Sequence, residues 1–197
     1  SPQNYLLCEP YTKWMVAQDS VNQAASVLMT SVGAARELGI PESRWVYLTG
    51  YADVDDQTVL KRPNLAASNA QNLAVRTALA SAGVGIEAVK YLDFYSCFPI
   101  AVSSIAEPLG LPTDGSRPLT LTGGLPFFGG PGNNYSMHAI ATMVDKLRAD
   151  PQARGLVVAN GGYLSKHSAA VYACAAPANW QPLSSSAAQA EAKADTG

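Results

Sequence analysis

The stretch 123–162 reads GGLPFFGGPGNNYSMHAIATMVDKLRADPQARGLVVANGG, and it contains the clearest succession of structural signals in the chain. Its central part, 136–147, places five apolar residues on one helical face: Met137, Ile140, Ala141, Val144 and Leu147. The part at 154–162 is short and apolar, which is typical of a strand inside a buried sheet. A glycine-rich loop, an amphipathic helix and a buried strand in this order predict an α/β domain.

The same alternation continues on both sides of this stretch. On the N-terminal side the predicted strands lie at 44–52, 88–98 and 117–125, and the predicted helices at 68–82 and 100–109. On the C-terminal side, the apolar run 169–176 is a further strand. We therefore predict a layered α/β fold with a mixed five-stranded sheet and helices on both of its faces.

Composition divides the chain into four parts: a connector at 1–14, a strand-and-helix unit at 15–40, the α/β domain at 41–177 and a tail at 178–197. In the second part, a strand is predicted at 15–21 and a helix at 22–38, which Gly39 ends. The tail is rich in Ser, Ala, Gln and Glu, which predicts a linker or a disordered segment. The chain opens at Ser1 without an initiator methionine or a signal-like segment, so we expect a piece of a longer protein.

Charge and cysteine content narrow the classes of function. The net charge is -2, and no dense Lys/Arg cluster is present, which argues against nucleic acid or an anionic membrane as a partner. No apolar run approaches the ~20 residues that span a bilayer. Cys8, Cys97 and Cys174 are odd in number and lack CxxC spacing, so neither a disulfide framework nor a metal site is predicted. A reducing cytoplasm is the expected setting.

Three segments lie where a predicted strand ends, which is the usual position of sites in α/β sheets. They are YSCF (95–98), the glycine-rich loop GGLPFFGGPGNNYSMH (123–138) and NGGYLSKH (160–167). Glycines in the loop let backbone N–H groups approach a ligand, and the start of the following helix adds partial positive charge. His138 lies in the first turn of that helix, where a neutral imidazole is expected.

Each segment also has an alternative interpretation. The loop can be a tight turn packed by two phenylalanines, with Asn133, Asn134 or Ser136 as the helix cap. Cys97 can form a nucleophile–base pair with His138 or His167, or it can be a small buried hydrophobe. His167, which follows Ser165 and Lys166, can instead lie in a plain surface hairpin. The loop does not match the dinucleotide fingerprint, because GPGNNY lacks the last glycine of G-x-G-x-x-G, and the chain contains neither a Walker motif nor G-x-S-x-G.

Four segments in order resemble the thiolase superfamily, over residues 11–176. VAQDSVNQAASVLMTS (16–31) resembles the last strand and helix of the family's N-terminal half. YLDFYSCF (91–98) resembles the strand that leads to its NEAF segment, or HDCF in the sterol-carrier type. The loop 123–138 is similar to GGxxxxGHPxG, and VVANGGYLSKH (157–167) is similar to the CxG segment. The narrower resemblance is to the sterol-carrier-type branch of thiolase-like acetyl-CoA acetyltransferases.

The resemblance implies a thiolase-like fold in which this chain is the C-terminal domain plus the end of the N-terminal one. Tyr95 stands where the family has the Asn or His that helps to hold a catalytic water. Gly130 stands where the family has the GHP histidine, and Asn160 where it has the acid/base cysteine. The family's nucleophilic cysteine lies in a region N-terminal to this chain.

From the resemblance we expect Tyr95, Asn160 and His138 to be the catalytic positions, acting as partial substitutes through hydrogen bonds. The expected ligand-binding residues are Gly129, Gly130, Asn134 and Ser136. The ligand implied is coenzyme A or an acyl-CoA of lipid metabolism, without a tightly bound cofactor or a metal.

The function implied is that of an acyltransferase by class with a degenerate catalytic site. Two alternatives remain: a non-catalytic acyl-CoA-binding or assembly domain, and a carbon–carbon lyase that uses Tyr95 as its acid/base. The expected partner is the missing N-terminal half of the same protein. The resemblance also implies a second copy of the protein, since classical members of the family form homodimers. The isolated chain is predicted to be inactive as a thiolase.

Overall fold

A four-stranded mixed sheet with helices on both faces is the centre of the computed structural model, which describes residues 2–62, 64–178, 181–182 and 184–194. Within these residues the strands, in chain order, are β1 (Leu6–Cys8), β2 (Tyr11–Thr12), β3 (Tyr47–Asp55), β4 (Tyr91–Phe94), β5 (Arg154–Gly161) and β6 (Lys166–Ala173). The helices are α1 (Val32–Glu37), α2 (Asn69–Ser81), α3 (Pro99–Ala106), α4 (Tyr135–Ala149) and α5 (Ser186–Ala194). The predicted α/β class is confirmed.

The main sheet has the strand order β3–β6–β5–β4. Strand β6 runs antiparallel to both β3 and β5, whereas β4 runs parallel to β5. Strands β1 and β2 form a separate antiparallel pair within the segment predicted to be a connector.

The prediction of five strands is wrong by one, because 117–125 does not join the sheet. This segment passes beside β4 and makes one ladder-like bond, from the Phe94 amide to the Leu119 carbonyl at 3.0 Å. Beyond it, the amides of Leu121 and Thr122 donate to the Asp93 carboxylate at 2.8 and 3.2 Å. A buried side chain therefore takes the hydrogen bonds that strand pairing would otherwise need.

Residue alternation along the strands supplies two apolar layers, one on each face of the sheet. Leu156 and Val158 of β5 face the layer that contains α2, α3 and α5. Val157, between them, faces the layer formed by α4, where Met143 and Leu147 are fully buried. The helices predicted at 68–82 and 136–147 are thus confirmed as α2 and α4. Among the described residues, no helix combines the length and apolarity needed to cross a bilayer.

Two glycines allow the helices to approach the sheet closely. A Cβ at Gly50 in β3 would lie 2.1 Å from the Ala78 carbonyl oxygen of α2. A Cβ at Gly155 in β5 would lie 2.0 Å from the Met143 sulfur of α4. Both distances are far inside van der Waals contact, so the two layers are packed directly onto backbone.

The strand predicted at 15–21 and most of the helix predicted at 22–38 do not form. Residues 17–31 have neither helix nor strand pairing to any described residue, and helix α1 begins only at Val32, capped by Ser31. Positions 21–28 alternate between half-buried and exposed, which is the two-residue period of an extended strand. Leu28 and Met29 are 76% and 75% exposed. An apolar stripe with nothing to pack against stabilises no helix.

The prediction of a linker or disordered tail is wrong for the part that forms helix α5. Ala188 and Ala192 of this helix are buried in the core. The side-chain amide of Gln189 accepts from the Asp55 amide and donates to the Asp55 carbonyl, both at 2.8 Å. Strand β3 lies at a free edge of the sheet, so its outer backbone groups have no partner strand among the described residues. The tail is ordered as α5 because this helix satisfies those backbone groups. Residues 179, 180, 183 and 195–197 lie outside the described residues.

Candidate functional site

The ends of β4 and β5 bring two of the three predicted segments together. The strands run parallel with Phe94 opposite Val158, so the residues that follow them leave the sheet at the same edge. The Tyr95 amide extends the pairing by donating to the Val158 carbonyl at 3.0 Å. Tyr95 and Asn160, which are 65 positions apart in the sequence, are therefore neighbours.

Tyr95, Cys97 and Asn160 form a half-buried polar group at this edge. The Asn160 side-chain Nδ2 donates to the Tyr95 carbonyl at 3.5 Å, and the Cys97 thiol points to Asn160 Oδ1 at 4.0 Å. Burial raises the pKa of the Cys97 thiol. Burial, and then the neighbouring Cys97, raise the pKa of the Tyr95 phenol. Both groups keep their protons at neutral pH, so the site offers hydrogen-bond donors but no thiolate.

The nucleophile–base pairs considered for Cys97 are not formed. Within the described part of the chain, neither His138 nor His167 is hydrogen-bonded to the Cys97 thiol. Activation of a cysteine requires an adjacent base or cationic group that lowers its pKa. The geometry therefore favours the interpretation of Cys97 as a half-buried, unactivated thiol.

A row of aromatic rings connects His138 to Tyr95. The Tyr95 ring meets the edge of Tyr135 with centroids 5.3 Å apart, and Tyr135 is 6.2 Å from Phe128. The Phe128 ring lies 5.2 Å from the His138 ring. His138 Nε2 is buried and has no hydrogen-bond partner within the residues described. His138, the third predicted catalytic residue, thus lies in the same region as Tyr95 through aromatic ring contacts and not through polar contacts.

Residues 17–23 lie across the glycine-rich loop. The Gly130 amide donates to the Gln18 carbonyl at 2.7 Å, and the Gln18 amide donates to the Leu125 carbonyl at 3.1 Å. The Gln23 side chain donates to the Phe128 carbonyl at 2.8 Å, and the Ala17 amide to the Cys97 carbonyl at 3.0 Å. The backbone N–H of Gly130, predicted to bind ligand, is therefore occupied by the protein itself.

The other predicted ligand-binding residues lie at the start of α4 and on its approach. Gly129 has a φ of 117°, and a Cβ there would lie 2.6 Å from Gln23 Oε1. Asn134 ends a short 3-10 turn at Gly132–Asn134, and its side chain makes no capping bond to α4. Ser136 is half-buried in the first turn of α4. Asn134 thus occupies the N-cap position of α4 without the side-chain hydrogen bond that a cap usually supplies.

The buried carboxylate of Asp93, which was not predicted from the sequence, holds the start of the glycine-rich loop in place. Asp93 is fully buried in β4 and accepts from the amides of Leu121 and Thr122 and from the Tyr135 hydroxyl, the last at 3.0 Å. Burial raises the pKa of Asp93 even though these bonds favour its charged form. The signal was visible in the sequence, since Asp93 is a charged residue inside the apolar strand YLDF.

A second polar cluster lies at the turn that follows Asn160. A plain surface hairpin is the alternative that the sequence leaves for His167, but this residue is only 3% exposed. Its Nε2 is 2.9 Å from both the Leu164 carbonyl and the Ser68 hydroxyl. A carbonyl only accepts, so Nε2 carries the proton. Ser68 in turn donates to Asp56 at 2.5 Å, and Arg62 donates to the Leu164 carbonyl at 2.6 Å.

This cluster predicts a loss of stability in weak acid. Burial, the largest cause, lowers the pKa of His167 from its ordinary value of 6.5, although Asp56 and the Leu164 carbonyl oppose the shift. Below that ordinary value the unfolded chain binds a proton that the folded chain refuses. Stability is therefore full above about pH 6.5 and falls as the pH drops toward the folded pKa, by at most about 1.4 kcal/mol per pH unit.

The measurement is the free energy of unfolding in urea at pH 7.5 and pH 5.5. His167→Gln is the matched control, because a Gln amide keeps a donor near Nε2 and cannot titrate. The difference between the two pH values is expected to be smaller in the variant than in the wild type. Equal differences would show that His167 is not the group responsible.

The chain is similar to solved structures of thiolase-related proteins. No protein-family model matches the chain, and no curated protein matches it. A solved structure of a monomeric SCP2-thiolase-like protein type 1 from Mycobacterium smegmatis is similar to 99% of this chain, with 49% sequence identity and a TM-score of 0.92. This chain spans 43% of the length of that relative.

Human mitochondrial 3-ketoacyl-CoA thiolase has the same fold over 75% of this chain, with a TM-score of 0.60 and 17% identity. That likeness covers 34% of the human protein. The two structures confirm the predicted fold family and agree with the layered sheet described above. The roles of the individual site residues stay predictions.

Proposed function

Because the chain belongs to the thiolase superfamily, we propose that it is an acyl-CoA-handling C-terminal domain, an acyltransferase by class with a degenerate catalytic site. The observation that carries the proposal is the 49% identity to an SCP2-thiolase-like protein over 99% of the chain. The ligand proposed is coenzyme A or its thioester, without a tightly bound cofactor.

The geometry at the edge of β4 and β5 supports ligand binding more than turnover. Tyr95 and Asn160 offer neutral donors, while Gly130 has no side chain in the place where the family has a histidine. A Claisen condensation requires a thiolate, a proton shuttle and an oxyanion hole. Loss of a positioned acid or base costs about 10²–10⁴-fold in rate, so two such losses leave little catalysis.

A carbon–carbon lyase is the second candidate, and one observation favours it. The Tyr95 phenol is half-buried, and burial followed by the neighbouring Cys97 raises its pKa, while the Tyr95 main-chain carbonyl accepts from Asn160. A phenol in this state keeps its proton at neutral pH and can donate a hydrogen bond to an oxygen that gains negative charge during carbon–carbon cleavage.

We further propose that residues 15–40 belong with the part of the protein that this chain lacks. The chain spans 43% of its relative, and 17–31 forms neither a helix nor a strand pair with any described residue, although 17–23 is hydrogen-bonded to the glycine-rich loop. Its exposed apolar side chains, Leu28 and Met29, suit a strand that pairs with another sheet. The relative is described as monomeric, which favours the remaining N-terminal half over a second copy as the occupant.

The test measures binding and turnover separately. Titration calorimetry with coenzyme A is expected to give weak binding to the 197-residue chain and tighter binding to the full-length protein that contains it. Acetoacetyl-CoA thiolysis by the chain alone is expected to be no faster than by its Cys97→Ser variant. Thiolysis above that control would restore Cys97 as a nucleophile. Absence of coenzyme A binding by the full-length protein would overturn the proposed ligand.

A further inference from the structure

The turn between β5 and β6 holds three consecutive residues in the left-handed backbone region. The φ angles of Gly162, Tyr163 and Leu164 are 58°, 57° and 59°. Glycine adopts this region freely, but in other residues the Cβ approaches the following carbonyl oxygen. Tight turns therefore usually place Gly, Asn or Asp at such positions. A tyrosine followed by a leucine is an unfavourable choice for the turn itself.

Packing explains one of these side chains and not the other. Leu164 is buried under the hairpin, so its position is supported by apolar contacts. Tyr163 is 87% exposed and contributes almost nothing to the core. The fold alone would be served better by glycine at position 163, which removes strain without loss of packing.

Three hydrogen bonds from two side chains, Arg62 and His167, hold the turn. Arg62 donates through Nη1 to the Leu164 carbonyl at 2.6 Å and through Nη2 to the Tyr163 carbonyl at 2.9 Å. His167 Nε2 donates to the same Leu164 carbonyl. The Arg62 side chain is itself buried, 4.0 Å from Asp56. A planar guanidinium with two fixed N–H directions sets the orientation of both peptide groups.

The clamped turn is continuous with the candidate site. Asn160 is the residue opposite His167 in the pairing of β5 with β6, so the clamp fixes both ends of the hairpin. Tyr163 follows Asn160 by three residues, a span of at most about 10 Å. Backbone strain that the surrounding structure maintains is typical of sites and ligand clamps.

We propose that Tyr163 is a specificity-determining residue that covers the acyl group of the bound thioester, and that Arg62 is the positioning residue that presents it. The proposal rests on the proposed acyl-CoA ligand. Tyr163 is placed near the thioester because Asn160, at the start of its turn, lies beside Tyr95 and Cys97. A flat aromatic face gains from covering a hydrocarbon chain and gains little from a free thiol.

The test compares stability and affinity in the full-length protein that contains this chain. Tyr163→Gly is expected to raise Tm by about 2–4 °C through relief of strain. The same variant is expected to raise the Kd for decanoyl-CoA about tenfold, as loss of roughly 50 Å² of apolar contact implies. The Kd for coenzyme A itself is expected to stay unchanged. Tyr163→Phe keeps the aromatic face and is expected to match the wild type in both ligands.

Arg62→Lys tests the positioning role, because an ammonium group cannot donate to two carbonyls in a fixed fork. It is expected to speed hydrogen exchange at the Ser165 amide and to raise the Kd for decanoyl-CoA, with no further loss when combined with Tyr163→Gly. An unchanged Kd for decanoyl-CoA in Tyr163→Gly would overturn the inference while the wild type still binds coenzyme A. Failure of the wild type to bind coenzyme A would overturn the proposed function, and this inference with it.

Discussion

Replacement of Gly50 by alanine is expected to lower the free energy of unfolding by about 3 kcal/mol. A Cβ at this position would lie 2.1 Å from the Ala78 carbonyl oxygen and 2.8 Å from Ala82 Cβ. The nearest obstacle is helix backbone, which cannot move aside as a flexible side chain can. Helix α2 must therefore shift away from β3 and lose part of the core on that face. Equilibrium unfolding in urea, followed by circular dichroism, measures the change.

Gly33→Ala is the matched control. The atom nearest to a Cβ at Gly33 is 3.8 Å away, and the residue lies in the exposed helix α1. Alanine raises helix stability by up to about 1 kcal/mol relative to glycine, so this variant is expected to be neutral or slightly stabilised. If Gly50→Ala unfolds at the same urea concentration as Gly33→Ala, then α2 does not pack on β3 at Gly50.

Replacement of Asp93 by alanine is expected to lower the free energy of unfolding by about 3–4 kcal/mol. The carboxylate accepts from the backbone amides of Leu121 and Thr122 and from the Tyr135 hydroxyl, all around a fully buried residue. Alanine leaves these donors without their acceptor and away from water, which costs more than the bonds themselves contribute. Hydrogen exchange at the amides of Leu121 and Thr122 is expected to become much faster.

Two variants distinguish the loss of the hydrogen-bond network around Asp93 from the mere loss of a negative charge. Asp93→Asn keeps an acceptor oxygen for the amides and is expected to lose less stability than Asp93→Ala. Asp150→Ala removes a partly exposed carboxylate that accepts from Lys90 and the Tyr91 hydroxyl, and it is expected to shift the unfolding midpoint much less than Asp93→Ala. Equal midpoints for Asp93→Ala and Asp150→Ala would show that Asp93 does not hold the loop.

The hydrogen-bond network around Asp93 also affects the candidate site. The Tyr135 hydroxyl donates to Asp93, and the Tyr135 ring packs against Tyr95 and Phe128. Loosening the loop is therefore expected to alter the surroundings of Tyr95 before it alters the sheet. The site region and the fold are stabilised by the same buried carboxylate.

Local pattern was sufficient for much of the architecture. Helices α2 and α4 follow from apolar residues at helical spacing, and β5 follows from a short buried run. The proximity of Tyr95 and Asn160 was predictable too, because each follows a strand of one sheet. These features depend on residues close in sequence, or on a rule that holds for α/β sheets in general.

Local pattern failed where distant groups choose the conformation. The spacing at 22–38 is helical, yet helix α1 begins only at Val32, and Leu28 and Met29 of the predicted apolar face are largely exposed. The predicted strand at 117–125 is displaced by the Asp93 carboxylate. His167 belongs to a buried cluster with Ser68, which is 99 positions away.

The sequence by itself determined the α/β class, the main helices and the family of the chain, since periodicity and motif order are written along the chain. Only the tertiary structure decided the number of strands in the main sheet and the formation of helix α5 in the tail. It also decided the hydrogen bonds from Arg62 and His167 that hold the turn at Tyr163. The physical reason is the same in each case: a backbone group in a sheet edge or a turn is satisfied by a hydrogen-bond partner, and that partner can lie anywhere in the sequence. The Asp55 amide finds it in Gln189, 134 positions further along the chain.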